Sequence, residues 1–449
     1  MKIIKENVPA LANRYGRWFK NPVSEKTSGF KNFLVFPFGG NSPGRRVIVM
    51  IFEILIAIAA GIILGTFTGL IPGIHINLAA AGVLLFSSLL LNYFSPISLA
   101  VAIIAMSITH VFLDFVPSIF LGAPSDATAL AVLPGHKLLL EGKGYEAVVL
   151  SSIGGFFGII SVIVFLPLIL IAVKHIFTFV RPHIGIMLLG LVFYNVLRKK
   201  SFEKRAWTFV VITLAGSLGF LTLNIPNINQ PLLPLLAGLF GISTLIASTL
   251  KYSAVPVQVM DVKEIKKRIM TKSVFAGAFS GGLIGIFPAL GPAQAAMLAR
   301  DLIGNAGKRA YLVTLGAVST SSMLFGLITL FAINKARNGS IAIMSEIVNI
   351  NALDFVFLIT AAMAVCGFVF LLTTIIAKIF ARNIYKIDYT KISFAIILFI
   401  ALMTLYFSHF TGLLILITGT AIGMFTITKN IARHNLMSCL MVPVIIFYL

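Results

Sequence analysis

A carboxylate and an imidazole stand four positions apart inside a long apolar stretch of this sequence. They are Asp114 and His110, in the segment Thr109-His-Val-Phe-Leu-Asp-Phe-Val116. An ionisable residue at membrane depth is costly and marks a functional site by default, as a proton carrier or a cation ligand. On a helix this spacing puts both side chains on one face, so a neutralised structural pair is the alternative. We expect Asp114, His110 and Asp126 to hold a coupling proton or sodium ion.

Two pairs of motifs predict interruptions of apolar helices. One pair is Leu70-Ile-Pro-Gly-Ile-His75 with Ile286-Phe-Pro-Ala-Leu-Gly-Pro292, and the other is 121–128 with 333–340. A break at membrane depth leaves backbone groups without partners, so it is tolerated only beside protein or water. Broken helices at matching positions indicate a transport site, and a restarting helix directs N–H groups at a carboxylate or phosphate. The alternative is a simple Pro/Gly kink with close helix packing.

Polar and conformationally special residues adjoin these breaks and are the predicted solute-binding residues. They are Pro72, Gly73, His75, Asn77, Ser125, Thr128, Pro288, Gly291, Gln294, Lys335, Arg337, Asn338 and Ser340. Lys335 and Arg337 directly follow a long apolar stretch, so they would supply the positive charge that a buried anion needs. The alternative for these two residues is a short cytoplasmic loop that obeys the usual charge bias.

The elements that position these residues must be membrane helices. Of the 449 residues 59% are hydrophobic and only 11% are charged, and the mean hydropathy is +1.02. Apolar runs long enough to cross a bilayer recur from residue 47 to the C-terminus, without the period-two alternation of a membrane barrel. The predicted fold is an all-α polytopic membrane protein with broken or re-entrant helices at its Pro-Gly motifs.

An internal repeat organises the chain. Residues 65–80, GTFTGLIPGIHINLAA, align without gaps on residues 281–296, GGLIGIFPALGPAQAA. The same order of helices and breaks follows each copy, with Asp126 opposite Asn338 and Thr128 opposite Ser340. We predict two diverged membrane repeats, 47–250 and 272–449, joined by a basic linker, 251–271, and preceded by a basic extension, 1–46. Parallel and inverted repeats both remain open at this stage.

The formal charge of +21 comes from clusters of basic residues between apolar runs. That distribution follows the bias of cytoplasmic loops toward Lys and Arg and argues against binding to nucleic acid. It predicts a multi-pass protein of the plasma membrane whose N-terminus is cytoplasmic. The first apolar run is too long for a cleavable signal peptide and is expected to be a membrane anchor.

Several chemistries lack their sequence signatures. Cys366 and Cys439 lie in apolar spans, so we expect neither a disulfide nor a metal site. No phosphate-binding loop, nucleophile elbow or zinc-protease motif is present, which argues against an enzyme and against ATP-driven transport. His136, Glu141 and Glu146 occupy a polar segment that we expect to be solvated. No cofactor beyond a coupling ion is expected.

Three motifs in order resemble the TctA-type permeases, the large membrane subunits of tripartite tricarboxylate transporters, in their archaeal-type branch. They are the paired glycine frames, FLGAPSDATALAVLPGHKLLLEGKGYEAVVLSSIGG, and the end NLMSCLMVPVIIFYL. The resemblance implies ion-driven uptake of di- or tricarboxylates, with a small membrane subunit and an extracytoplasmic binding protein as partners; a homo-oligomer is a further option. Translocation of an anionic polyprenyl-phosphate carrier lipid is a second function that fits the same breaks, and a purely structural role is a third.

Overall fold

The computed structural model describes most of the chain from Pro43 onward. The described residues are 43–71, 76–122, 128, 132–199, 201–226, 228, 231–249, 255–287, 291–304, 306–386 and 389–449. They form helices joined by turns and contain no β-strand, which confirms the predicted all-α class. Contacts divide the chain into two units, Met1–Phe52 and Glu53–Leu449. Of the first unit only residues 43–52 are described, as the start of a helix.

The helices that the structure describes carry the labels α1 to α19 here. In chain order they are α1 Pro43–Leu70, α2 Ile76–Leu85, α3 Ser87–Leu90, α4 Pro96–Leu113, α5 Phe115–Phe120, α6 Val132–Leu140, α7 Gly144–Val164, α8 Leu166–Val180, α9 Ile184–Leu197, α10 Phe202–Asn224, α11 Leu232–Leu236, α12 Ser243–Thr249, α13 Lys267–Ile286, α14 Pro292–Ile303, α15 Gly307–Ile333, α16 Gly339–Ile347, α17 Ala352–Asn383, α18 Tyr389–Thr428 and α19 Ser438–Tyr448. Residues Ala237–Ile242 form a π-helical turn, and Arg433–Met437 form a 3-10 turn.

Eight helical segments among the described residues are long and apolar enough to cross a membrane. They are Met50–Leu70, Pro96–Phe120, Gly144–Val164, Phe202–Asn224, Lys267–Ile286, Gly307–Ile333, Ala352–Lys386 and Ser393–Thr428. A further pair, α8 and the helix after it, bends by 87° and forms a broken span or a re-entrant loop. The non-helical backbone of His409 interrupts α18. The chain is therefore a multi-pass membrane protein, as its hydropathy predicts.

Local sequence signals explain where the central helices begin. Ser95 caps α4, its side chain accepting a bond from the N–H of Ser98, and Pro96 occupies the first turn, where its missing N–H costs nothing. Asn351 and Asp354 form a capping box at the start of α17. These caps supply partners for N–H groups that no intrahelical carbonyl can reach.

The glycine frames of the two halves make matching close contacts. A Cβ at Gly65 would lie 2.5 Å from the carbonyl oxygen of Met106 on α4, and a Cβ at Gly281 would lie 2.7 Å from that of Val318 on α15. Only glycine allows helices to approach this closely. The pairs correspond in register, because Gly65 and Gly281 are 216 positions apart and Met106 and Val318 are 212 apart.

The same register holds one turn further along. Gly69 faces the Cβ of Leu113, and Gly285 faces the Cβ of Phe325, each at 2.9 Å from the position of a Cβ. These two contacts repeat the separations of 216 and 212 positions. The chain then leaves the helical path at residues with positive φ, Gly122 with φ 64° and Asn334 with φ 52°, again 212 positions apart. The duplication stays a prediction, and these matched contacts support it.

The corresponding helices of the two halves, α1 and α4 in the first and α13 and α15 in the second, run in opposite directions. The glycine contacts make α1 parallel to α4, and α13 parallel to α15. Helix α7 runs antiparallel to α4–α5, because Gly155 approaches Phe112 whereas Gly144 approaches Phe120. Helix α7 is parallel to α15, as the contacts of Gly154 with Val313 and of Gly158 with Ala317 establish. The first half therefore has the inverted orientation relative to the second, an alternative that the sequence left open.

The non-helical residues 255–266 lie across one end of this bundle, here called the linker end. The side-chain oxygen of Gln258 accepts a bond from the N–H of Gly144 at 2.8 Å, and the N–H of Val259 donates to Gly142 at 2.7 Å. Helix α13 begins at Lys267, inside the predicted 251–271 linker. Glu53 lies beside Ser95, at the end of the bundle opposite the linker.

Buried charge at the linker end corrects one prediction. Glu146, expected to be solvated, is 1% exposed and accepts bonds from Arg309 at 2.7 and 3.0 Å and from the N–H of Lys263 at 3.0 Å. His136 is also buried. The sequence did not reveal this burial because the groups that enclose Glu146 lie more than 100 positions away along the chain.

Candidate functional site

The segment Arg337–Ser340 contacts both the end of α13 and the start of α2. Arg337 donates from Nε to the carbonyl oxygen of Gly285 at 3.0 Å and from Nη2 to that of Ile286 at 3.3 Å, just before the break at 288–290. On its other side Gly339 lies against the side-chain amide of Asn77, just after the break at 72–75. One short segment thus joins the two breaks that the sequence predicts.

Arg337 and Lys335 have different surroundings although they are two positions apart. The guanidinium of Arg337 is half-buried, and it lies 5.1 Å from the centre of the Phe177 ring in α8. Its two donated bonds satisfy carbonyls at the negative end of α13. Lys335 is exposed. Of the two predicted cationic residues, Arg337 is the one that contacts the end of α13.

Asn338 and Ser340 begin α16 and connect it to α4. The Asn338 side chain accepts a bond from the N–H of Ile341 at 2.9 Å, as an N-cap does, and packs over Gly326. The buried hydroxyl of Ser340 accepts a bond from Ser107 on α4 at 3.0 Å. Both residues hold the backbone of the break against the centre of the bundle.

A row of buried polar side chains follows one face of α4 and α5. Ser107, His110, Asp114 and Ser118 recur at helical spacing, and each is at most 6% exposed. His110 Nδ1 lies 3.1 Å from the hydroxyl of Thr68 on α1. The row is about 16 Å long at 1.5 Å per residue, roughly half the thickness of the hydrocarbon core.

Thr128 joins this row from the first-half break. Its hydroxyl accepts a bond from Ser118 and donates to Oδ2 of Asp114 at 3.3 Å. Thr128 and Ser340, which the sequence alignment pairs, therefore both bond to the polar face of the same helix. The two ends of the row lie beside the breaks of the two halves.

Some predicted site residues lie outside the described residues. These are Pro72, Gly73, His75, Ser125, Asp126 and Pro288. The backbone of Gln294 belongs to α14, but its side chain is not among those described. Gly291 is buried, and its carbonyl accepts the N–H of Ala295 at the start of the same helix.

Sequence reasoning missed three hydroxyl residues of the site. Ser107, Ser118 and Thr68 are all buried, and each bonds to a residue of the predicted site. Ser107 and Ser118 could have been found by extending the spacing of His110 and Asp114 in both directions along the helix. Thr68 lies on another helix, so only the packing of α1 on α4 reveals it.

The arrangement suits a charged solute and a coupling ion at separate but connected places. Hydroxyl, amide and guanidinium donors surround the break at 334–340, whereas the carboxylate of Asp114 lies between α4 and α5. Buried polar groups of this kind are costly in lipid and mark the path of a solute or an ion. In this bundle of long helices, two interrupted pairs, α1 with α2 and α13 with α14, meet at a buried polar segment. That is the architecture of membrane transporters.

The tripartite tricarboxylate transporter TctA family matches residues 55–438, and the chain belongs to that family. The family is the large membrane component of tripartite tricarboxylate transporters and works with small membrane and periplasmic binding subunits. The resemblance predicted from the motifs, and the class of membrane transporter, are thereby confirmed. An uncharacterized protein of Methanocaldococcus jannaschii is 31% identical over 409 residues, covering 88% of this chain and 99% of that protein. No solved structure matches the chain.

Proposed function

We propose that this protein is an ion-coupled permease for a small anionic solute of the di- or tricarboxylate class. Its solute site lies where the end of α13 and the start of α2 contact the segment Arg337–Ser340. The solute carboxylates take up hydrogen bonds from Asn77, Asn338 and Ser340 and the charge of Arg337. The positive ends of the helices that restart after each break favour the same anion.

One observation supports this proposal: the segment Arg337–Ser340 contacts both the end of α13 and the start of α2. Arg337 bonds to the last carbonyls of α13, and Gly339 packs on Asn77 at the start of α2. A shift of one half against the other must therefore change the spacing of donors around 337–340. Inverted halves that meet at a fixed site are the arrangement by which secondary transporters alternate access.

Coupling rests on Asp114 together with His110 and Thr128. Asp114 is the buried carboxylate of the polar row, and Thr128 links it to the break of the first half. A proton or a sodium ion bound there changes the hydrogen bonding of Thr128 and so the position of that residue. The solute and the ion then act on two places in the same polar row, Ser107 and Asp114.

The protein works in the plasma membrane with its linker end in the cytoplasm. Basic residues concentrate there, among them Arg198, Lys263, Arg309 and Lys308, as the charge bias of cytoplasmic loops requires. A small membrane subunit and an extracytoplasmic binding protein, the kinds of partner that the family uses, deliver the solute to the opposite end.

The test is a ligand screen on the purified protein. Thermal unfolding in detergent is followed with citrate, succinate and other carboxylates, and separately with a polyprenyl phosphate. A bound ligand raises the unfolding temperature by mass action, so a carboxylate should do so in a saturable way. The Asn338→Ala variant should lose that shift, whereas Asn383→Ala, an exposed amide on α17, should retain it.

Two outcomes would overturn the proposal. If the polyprenyl phosphate stabilises the protein and no carboxylate does, the chain is a translocase of an anionic carrier lipid. If carboxylates stabilise Asn338→Ala as strongly as the unaltered protein, the site lies elsewhere.

A further inference from the structure

A cluster of basic residues lies at the linker end, away from the polar row of α4. It consists of Arg198 and Lys199 after α9, Arg300 near the end of α14, and His434 in the 3-10 turn before α19. The one carboxylate among them, Asp301, is bound by the two terminal nitrogens of Arg198 at 2.8 and 3.0 Å. This cluster, called the basic cluster below, takes no part in the proposed solute site.

Positive charge exceeds negative charge in the basic cluster. Asp301 is engaged by Arg198, and no ion pair joins Lys199 or Arg300 to a carboxylate in the described part of the chain. The hydrogen bonds from Arg198 to Asp301 raise the pKa of Arg198. Burial, and then the charges of Arg198 and Lys204, lower the pKa of Lys199. Lys199 therefore gains from a neighbouring anion that the protein itself does not supply.

His434 lies close enough to the basic residues to feel their charges, and its Nε2 atom is buried. Its Nε2 is enclosed and makes no hydrogen bond with the described residues. Burial and the charges of Lys199, Arg198 and Arg300 lower its pKa to about 3, with Asp301 opposing, so the imidazole is neutral. A neutral imidazole keeps one N–H that can donate, and an unmade buried bond costs about 1–3 kcal/mol. Because His434 is neutral, the positive charge of the cluster comes from Arg198, Lys199 and Arg300.

Apolar side chains flank the cluster on the outer surface of the bundle. Phe193 and Leu197 on α9, Phe202 at the start of α10 and Leu302 on α14 are all exposed. Nearby, Lys429 lies 4.2 Å from the centre of the Trp207 ring, an indole and cation pairing typical of the membrane interface. Hydrocarbon chains can cover the apolar residues while an anionic head group reaches the basic ones.

We propose that the basic cluster binds the phosphate group of an anionic membrane lipid. Lys199 and Arg300 donate to the phosphate oxygens, and Arg198 stays on Asp301 as a support. The acyl chains lie along α9 and the first turn of α10. Basic pockets between helices at the cytoplasmic surface bind anionic head groups by this combination of charge and apolar contact. The bound lipid joins α9 and α14.

The experiment measures lipid binding to the purified full-length protein. Native mass spectrometry and thermal unfolding are recorded with phosphatidylglycerol, with phosphatidylcholine and with inorganic phosphate. Phosphatidylglycerol should bind and raise the unfolding temperature, and phosphatidylcholine should not. Stabilisation by inorganic phosphate at equal concentration would show a free-phosphate site and overturn the lipid assignment.

Variants of the basic cluster, compared with a control variant, test which residues bind the lipid. Lys199→Gln with Arg300→Gln should weaken phosphatidylglycerol binding about thirtyfold, from about 1 kcal/mol for each basic residue at an anionic surface. Lys386→Gln, an exposed lysine beside Tyr385, should leave binding unchanged. Equal binding by the double variant and by Lys386→Gln would refute the proposal, whatever the outcome for carboxylates.

Discussion

At the scale of single residues, the buried polar groups of α4 have partners on different helices. His110 bonds to Thr68 on α1, Asp114 to Thr128 after the first break, and Ser107 to Ser340 after the second. Each of these bonds replaces a hydrogen bond to water that the group loses on burial. A change at one of them therefore affects both the protein's stability and the movement of the segment it holds.

The role of Asp114 is tested by removing its charge alone. Asp114→Asn is expected to abolish gradient-driven accumulation of the carboxylate and to leave its binding within about threefold, because the amide retains the shape and much of the hydrogen bonding. Uptake is measured in cells under an imposed proton or sodium gradient, and binding is measured by thermal shift. Asp261→Asn, an exposed acid in the linker, is the control. Uptake by Asp114→Asn at the unaltered rate, with unchanged pH and sodium dependence, would assign Asp114 a structural role.

Arg337 and Lys335 provide a second comparison at this scale. Arg337→Ala should lower the free energy of unfolding by about 1–3 kcal/mol, because the carbonyls of Gly285 and Ile286 lose their donors in a half-buried place. Lys335→Ala removes an exposed side chain and should change the free energy of unfolding by no more than about 0.5 kcal/mol. Denaturation of the two variants in detergent gives the measurement. Equal stability of both would mean that the Arg337 bonds do not form in solution.

At the scale of elements, an ion pair fixes the starts of α7 and α15 to each other. Glu146 belongs to the first half and Arg309 to the second, and the linker adds a third bond through the N–H of Lys263. The neighbouring pair of Glu141 with Lys308 is exposed. Bonding to Lys308 lowers the pKa of Glu141, so this outer pair persists at neutral pH and is lost only in acid.

Removing the basic partner of each ion pair should lower the free energy of unfolding by very different amounts. Arg309→Ala leaves the buried carboxylate of Glu146 with one backbone donor and should lower the free energy of unfolding by about 3 kcal/mol. Lys308→Ala breaks an exposed pair and should cost less than about 1 kcal/mol. Chemical denaturation of both variants is the measurement. A cost for Arg309→Ala as small as that for Lys308→Ala would contradict the burial of Glu146.

At the scale of the whole molecule, the charge distribution indicates which end of the bundle faces the cytoplasm. The glycine contacts and the bond of Glu53 to Ser95 put Glu53 and the linker at opposite ends of the bundle. Both ends cannot be cytoplasmic. The basic residues at the linker end favour that end as the cytoplasmic one.

Cysteine labelling decides the orientation. Cys366 and Cys439 are buried, so they give little background. With a membrane-impermeant thiol reagent on intact cells, Tyr93→Cys, close to Ser95, should react, and Glu264→Cys in the linker should react only after permeabilisation. The reverse pattern would place the linker outside the cell. Labelling of both positions from one side would contradict the antiparallel halves.

Composition and local pattern by themselves determined the class of this protein. Long apolar runs require membrane helices, since backbone groups in lipid need partners within their own segment. The Pro-Gly motifs predicted the places where α1 and α13 end, and the motif order indicated the family. These features depend on residues close together in the chain, which is why they can be predicted without a structure.

Only the tertiary structure decided how the two halves lie and which polar groups meet. A hydropathy pattern is the same for a helix that runs in either direction, so it could not distinguish parallel from inverted halves. The burial of Glu146 depends on Arg309, 163 positions away, and the bond of Ser107 to Ser340 spans 233 positions. Burial and pairing are set by neighbours from distant segments, and a local pattern contains no information about which segments those are.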